Sequence, residues 1–340
     1  MNCLVTGGSG YLGSALIKYI SSKFSKVANF DKIENYNQNN NFIKGDILDI
    51  DNITNATKNI NIIYHCIAKV PITKNKNDFV EVNETGTENL LKAAKINKVK
   101  KVIFVSSSAV FGIPIKIPIL EDDERNPVEQ YGLSKKKGED LCFEYMKSGL
   151  DITVIRPRTI LGENRLGIFS ILFEWIEQNK NIPVLNNGEN YYQFIDIRDL
   201  VDAIYKSSLL PGSNIFNIGS EKFDTISGTL KSLIENTNSK SIIKNIDQNF
   251  MFKILSILSK INLVPLQDYH LKVYGESVFF DISRSKKILN WSPKFSSTDS
   301  MIESYKSYIF QKKNGLLDKK NSPHNSILKK GLLKYAQIFF

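Results

Sequence analysis

The segment EQYGLSKKKGEDL carries Tyr131 and Lys135 four residues apart. At the start of a helix that spacing puts both side chains on one face, about a turn from each other. A phenol ordinarily titrates near pH ~10, and an adjacent ammonium favours its ionised form, so the pair is a candidate acid or base. Upstream, VIFVSSSAVFG closes an apolar run with Ser106, Ser107 and Ser108 and offers a hydroxyl to the same place. A tyrosine and a lysine so spaced also describe an ordinary solvated helix face, so the elements around them decide their meaning.

The chain opens with MNCLVTGGSGYLGS, in which Gly7, Gly10 and Gly13 recur every three residues. Asn2 to Thr6 reads as a buried strand, and Tyr11 to Ile20 as a helix with Leu12, Leu16, Ile17 and Ile20 at helical spacing. Glycine at such a junction permits a tight turn and lets a phosphate approach the main chain. The free N–H groups of the helix start would meet a dinucleotide pyrophosphate there. A packing turn looks the same until a second strand ends in an acid that can bind a ribose, and Lys26 to Phe30 followed by Asp31 supplies it. Asp31 favours NAD over NADP because a carboxylate repels a 2′-phosphate, although Lys32 stands next to it. With a nicotinamide cation nearby, the shift at Tyr131 would bring the phenol toward neutrality, and Lys135 would also bind a cofactor ribose.

Strand-like runs NFIKGD, INIIYHCIA, KKVIFVSSS, DITVIRP and SNIFNIG alternate with amphipathic helices such as Glu84 to Ile96. This pattern predicts an α/β fold, a Rossmann doubly wound parallel sheet with a smaller mixed C-terminal substrate lobe. Ligands of such sheets sit at the carboxyl ends of the strands, which selects Gly7, Asp31, Asp46, Ala68, Ser107 and Pro157. We expect a cofactor domain over 1–160 with 190–220 returning to it, a substrate lobe over 161–310, and a basic amphipathic tail over 311–340. Helices are expected at Phe169 to Gln178 and Phe250 to Ile261.

With 340 residues and 42% hydrophobic content the chain can bury a substantial core. Of the net charge of +10, six lie from residue 311 onward, where seven lysines face one acid. The body is only mildly basic, which argues against nucleic acid as a partner. Cys3, Cys66 and Cys142 lie far apart and are expected to be free thiols, two of them in strands; the scattered His65, His270 and His324 predict no metal site. The first residues run straight into the strand, which predicts no signal peptide and a cytoplasmic protein.

TGGSGYLG, Asp31, GDILD, VNETGTENLLKAA, VSSSAVFG, YGLSK, IRPRTILG and FNIG, in this order from residue 2 to about 310, together resemble the extended short-chain dehydrogenases/reductases of the NAD-dependent epimerase/dehydratase family. The resemblance implies Ser107, Tyr131 and Lys135 as the catalytic set, with Ser107 chosen by counting back from Val110, Phe111 and Gly112. It places Gly7, Gly10, Tyr11, Leu12, Gly13, Asp31, Asp46, Ile47, Ala68 and Asn83 at NAD, with Tyr131, Lys135 and Pro157. Pro157 and Thr159 would lie near nicotinamide and substrate, with Ser107 on the substrate oxygen. It also implies a homodimer. Phe111 stands where the family has tyrosine.

The implied activity is epimerase-type hydride chemistry on a nucleotide sugar, or net oxidation of an alcohol. Dehydratases of the family carry an acidic pair directly after the serine position; here those positions are Ser108 and Ala109, which disfavours dehydration. Arginines that grip the diphosphate in many family members are missing: Tyr192 and Gln193 stand in NYYQFIDIRDL, and YGES covers 274–277. Arg158, Arg165 or Arg284 would have to compensate. The rival substrate class is a steroid or lipid alcohol, favoured by the apolar stretch NFMFKILSILSKINLV. A non-catalytic NAD-sensing protein is the alternative of another class, and keeping serine, tyrosine and lysine argues against it. In the tail, SILKKGLLKYAQIFF reads either as a helix on an anionic membrane face or as one docking on protein.

Overall fold

Cys3, Leu4 and Val5 of β1 (Asn2–Thr6) have no exposed surface, which a strand achieves only when both faces of its sheet are covered. The computed structural model describes residues 1–34, 41–70, 79–247 and 275–317. After β1 come α1 (Tyr11–Ile20), β2 (Lys26–Asp31), β3 (Asn41–Lys44), α2 (Ile50–Ala56) and β4 (Ile62–His65). A π-helical turn, Val80–Thr85, runs into α3 (Gly86–Ile96), followed by β5 (Lys101–Val105), a 3-10 turn at Ser108–Phe111, α4 (Gln130–Lys147) and β6 (Ile152–Pro157). The rest comprises β7 (Thr159–Leu161), α5 (Phe169–Glu177), β8 (Ile182–Leu185), β9 (Phe194–Asp196), α6 (Ile197–Ser208), β10 (Asn214–Ile218), α7 (Ile226–Asn236), β11 (Ile243–Ile246), α8 (Ser283–Leu289) and α9 (Ser297–Lys313).

Seven parallel strands form the main sheet in the order β3-β2-β1-β4-β5-β6-β10, the doubly wound fold expected. Alternation along β1 feeds two cores. Cys3 and Val5 pack with Leu16, Ile17, Leu200 and Ile204 of α1 and α6, while Leu4 faces Phe30, Leu90, Leu91 and Val154. Strand order reverses between β1 and β4, and the carboxyl ends of those two strands open the crevice where such sheets bind ligands.

The pairs β7–β9 and β8–β11 lie outside the main sheet. With α5, α7 and α9 they enclose a third core of Leu161, Phe173, Ile182, Phe194, Leu230 and Tyr305. Val278, Phe280, Leu289 and Trp291 pack back into the first core.

Three local expectations differ. The helix expected from Glu84 begins as a π-turn and becomes α-helical at Gly86, and α9 extends to Lys313, into the expected linker. Cys66 lies one residue beyond β4 and is only half-buried, unlike Cys3 and Cys142, and all three thiols are free. The stretch 249–264, with its expected helix, and the tail from 318 lie outside the described residues. No helix among the described residues is long and apolar enough to cross a membrane.

Candidate functional site

The glycine turn closes through Gly10 N–H donating to the Gly7 carbonyl at 3.0 Å. Gly7 sits at φ +75°, and a Cβ on it would lie 2.8 Å from the Ile67 nitrogen in the loop after β4. A Cβ on Gly13 would come within 2.1 Å of the Gly7 carbonyl oxygen, so its bare Cα lets α1 seat against the turn. α1 begins without a side-chain cap or an acid in its first turn, whereas α2, α4 and α6 are capped by Asp49, Glu129 and Asp196. Its N–H groups remain available to an anion. Asp31, half-buried at the end of β2, accepts from Ser9 N–H at 3.2 Å and Ile33 N–H at 3.3 Å, which fixes the carboxylate at the rim of the turn.

Two contacts place Tyr131. Glu129 accepts from the Tyr131 and Gly132 N–H groups at 2.7 and 2.6 Å, starting α4 there. Gly132 then presses against the turn after β5, where a Cβ would lie 2.4 Å from the Ala109 carbonyl oxygen. That approach brings the Ser107 hydroxyl near enough to the Tyr131 phenol to lower it, while Ser107 Oγ accepts from Ala109 N–H at 3.2 Å. Phe79 meets the Tyr131 ring edge-on at 6.2 Å.

The expectation that the Lys135 ammonium lowers this phenol is corrected. Burial pushes the Tyr131 phenol up to about 12 and the Glu129 charge adds to this, while the Ser107 hydroxyl and the Arg165 guanidinium pull it down. Lys135 shares a face with Tyr131 but Nζ reaches past it, donating to the Val105 carbonyl at 2.6 Å over the Phe104 ring. Burial brings Lys135 itself down to about 8.

Residues 3–219 match the model of the NAD dependent epimerase/dehydratase family. The chain belongs to this family. The uncharacterized protein y4nG of Sinorhizobium fredii is 39% identical to it over 308 residues, covering 90% of this chain and 78% of that one. UDP-glucose 4-epimerase of Vibrio cholerae is 28% identical over 211 residues, covering 59% and 64%. The fold is that of the UDP-glucose 4-epimerase from Thermotoga maritima, solved with UDP-glucose, at a TM-score of 0.76 and 22% identity over 92% of this chain and 100% of that one. This family member is an enzyme of the extended short-chain dehydrogenase type, and its cofactor is NAD.

The crevice fits NAD: Gly7 and Gly10 leave an open main-chain cradle, the α1 start is uncapped, and Asp31 stands at its rim. Lys32, which would suit a 2′-phosphate, is ion-paired to Asp46 at 2.7 Å. Ile47 is buried on Gly86, Tyr11 is buried beneath the Arg165 guanidinium at 5.6 Å, and Leu12 packs on the first core. Ala68 is half-buried in the loop beyond β4, and Pro157, buried, pairs with Ile218 at the carboxyl edge. Asn83 is committed to protein: it accepts from Lys69 N–H at 2.8 Å and donates to the Lys69 carbonyl at 3.1 Å and to Ser134 Oγ at 2.9 Å, tying that loop to α4. Thr159 Oγ1 meets the Tyr192 hydroxyl at 3.2 Å.

Of the three candidate arginines, Arg284 pairs with Asp122 at the surface at 3.5 Å. Arg165 is buried between Tyr11 and Phe169, within electrostatic reach of Tyr131. Arg158 is buried with its guanidinium 4.8 Å from the Tyr192 ring. Sequence reasoning missed Glu129, though an acid two residues before Tyr131 at a helix start was a capping signal. It also missed the link from Asn83 to Ser134, which no local pattern announces. Among the described residues no cluster of three metal-ligating side chains occurs.

Proposed function

We propose that the enzyme is an NAD-dependent epimerase-type oxidoreductase acting on a nucleotide sugar. The observation that carries the reading is the meeting of the Ser107 hydroxyl, just beyond the carboxyl end of β5, with the Tyr131 phenol at the start of α4, beside a crevice that fits NAD. Bound NAD supplies the hydride acceptor. Ser107 hydrogen-bonds the oxygen of the substrate carbinol, and Tyr131, acting from its ionised phenolate form, takes the hydroxyl proton as the carbon is oxidised. Lys135 ties α4 to the end of β5, and the Arg165 guanidinium favours the phenolate over the phenol. Reversal on the opposite face of the sugar ketone returns the proton from Tyr131 and gives the epimer.

Ser108 and Ala109 sit in the turn after Ser107, where a dehydratase of this family would need acids, and Ala109 is buried. Elimination of a sugar hydroxyl is therefore disfavoured. The reading is supported by family membership and by the relation to UDP-glucose 4-epimerases. It is tested by incubating NAD-loaded protein with a panel of nucleotide sugars and sterol alcohols, following NADH absorbance and product stereochemistry by NMR. Epimer formation without NADH accumulation is expected. Stoichiometric NADH release from an alcohol would instead establish a net dehydrogenase.

A further inference from the structure

Two buried arginines at the same strand end are treated differently. Arg156 is held by both oxygens of Glu139, at 2.9 and 2.7 Å, and by the Glu121 carbonyl at 2.7 Å. Arg158, two residues on, is 3% exposed and has no such partner. Its Nε donates to the Gln193 carbonyl at 3.1 Å, its Nη2 makes no hydrogen bond, and among the described residues it forms no ion pair. The rings of Tyr192 at 4.8 Å and Phe280 at 5.4 Å give partial compensation through their π faces. A buried guanidinium without a carboxylate is costly for folding alone and gains most when an anion arrives.

Its location agrees. Arg158 N–H donates to the Ile218 carbonyl at 2.9 Å, which sets it at the carboxyl edge of the main sheet. The next residue, Thr159, pairs with Phe194 on β9, so the site lies where the sheet meets the smaller lobe, beside the half-buried hydroxyls of Thr159 and Tyr192. Tyr192 and Gln193 stand in the stretch where the family resemblance leads one to expect an arginine. Here a cation is supplied from between β6 and β7, where Arg158 lies over the Tyr192 ring.

We infer that Arg158 is the substrate's anion site and takes a phosphate oxygen of the nucleotide diphosphate, with the half-buried Tyr192 ring turning aside to admit it. The inference rests on the nucleotide-sugar reading above. Two guanidinium donors directed at one phosphate suit this task better than an ammonium.

The test is calorimetric titration of NAD-loaded wild type, Arg158→Met and Arg158→Lys with UDP, dTDP and GDP, each alone and as its hexose and hexuronate conjugates, together with thermal unfolding of each protein. Arg158→Met is expected to weaken the bare diphosphate and both conjugates alike, by about 10-fold to 100-fold. Arg158→Lys should recover part of this. Because the methionine removes an unpaired buried charge, its melting temperature should equal or exceed that of wild type, which an arginine kept for structure would not allow. Unchanged affinity in Arg158→Met, or a lowered melting temperature with unchanged affinity, would overturn the inference and leave the nucleotide-sugar reading standing. A loss confined to hexuronate conjugates would overturn the phosphate assignment in favour of a carboxylate. Failure of wild type to bind any of these ligands would overturn both readings.

Discussion

Lys135 Nζ donates to the carbonyl of Val105 at 2.6 Å, so the first turns of α4 are tied to the last residue of β5. Ser107 follows two residues after Val105, and Tyr131 precedes Lys135 by one turn. One buried hydrogen bond thereby holds the hydroxyl at the sheet edge in register with the phenol on the helix. The ammonium acts through geometry.

That buried ammonium has a pH signature. Lys135 titrates at about 8 in the folded protein against an ordinary 10.5, so between these values the unfolded chain binds more protons than the folded one. The stability contribution of this residue must therefore rise with pH across the window from 8 to 10.5 and be least favourable below 8. Urea unfolding of wild type and Lys135→Met in steps from pH 7 to 10 checks this, with the difference expected to shift steadily in favour of wild type.

Gly132→Ala should separate Ser107 from Tyr131, the pair proposed to act on substrate, without touching either member. The new Cβ would lie 2.4 Å from the Ala109 carbonyl oxygen, so α4 or the turn after β5 must move. We expect a stability loss of about 1–3 kcal/mol and a fall in kcat of roughly 10²-fold with little change in NAD affinity. Denaturant unfolding, steady-state kinetics and NAD titration on one preparation measure all three.

Acid should unfold the protein partly through His65. Its ring is buried between Thr6 Oγ1, 2.7 Å from Nδ1, and Thr87 Oγ1, 3.3 Å from Nε2, and burial brings it down to about 3 from 6.5. The folded state keeps the ring neutral while the unfolded chain protonates it, so this stability contribution is present above pH 6.5 and is lost as pH falls toward 3. Melting temperatures from pH 7 to 4 should decline less steeply in His65→Asn than in wild type.

Local periodicity made much of the fold legible. The ends of β1 and α1 follow from the change of an apolar run to glycines and then to helical spacing, and α4 was marked by Tyr131 and Lys135. What stayed hidden depends on contacts between distant segments. Direction along a helix face does not reveal that Lys135 reaches for β5, since that requires knowing how closely Gly132 lets α4 approach. Nor does composition separate Arg156, met by Glu139 from α4, from Arg158, met by the Tyr192 ring just before β9. Three arginines looked equivalent in the chain, and packing alone set them apart.

In the proposed reaction Tyr131 takes the substrate's hydroxyl proton, with Ser107 on the same oxygen. Single-turnover measurement of Tyr131→Phe, loaded with NAD and mixed with the nucleotide sugar that wild type converts, tests it most directly. The rate is expected to fall by about 10²–10⁴-fold with NAD and substrate still bound, because one oxygen is removed and the packing against Phe79 is kept. Wild-type turnover in Tyr131→Phe would contradict it.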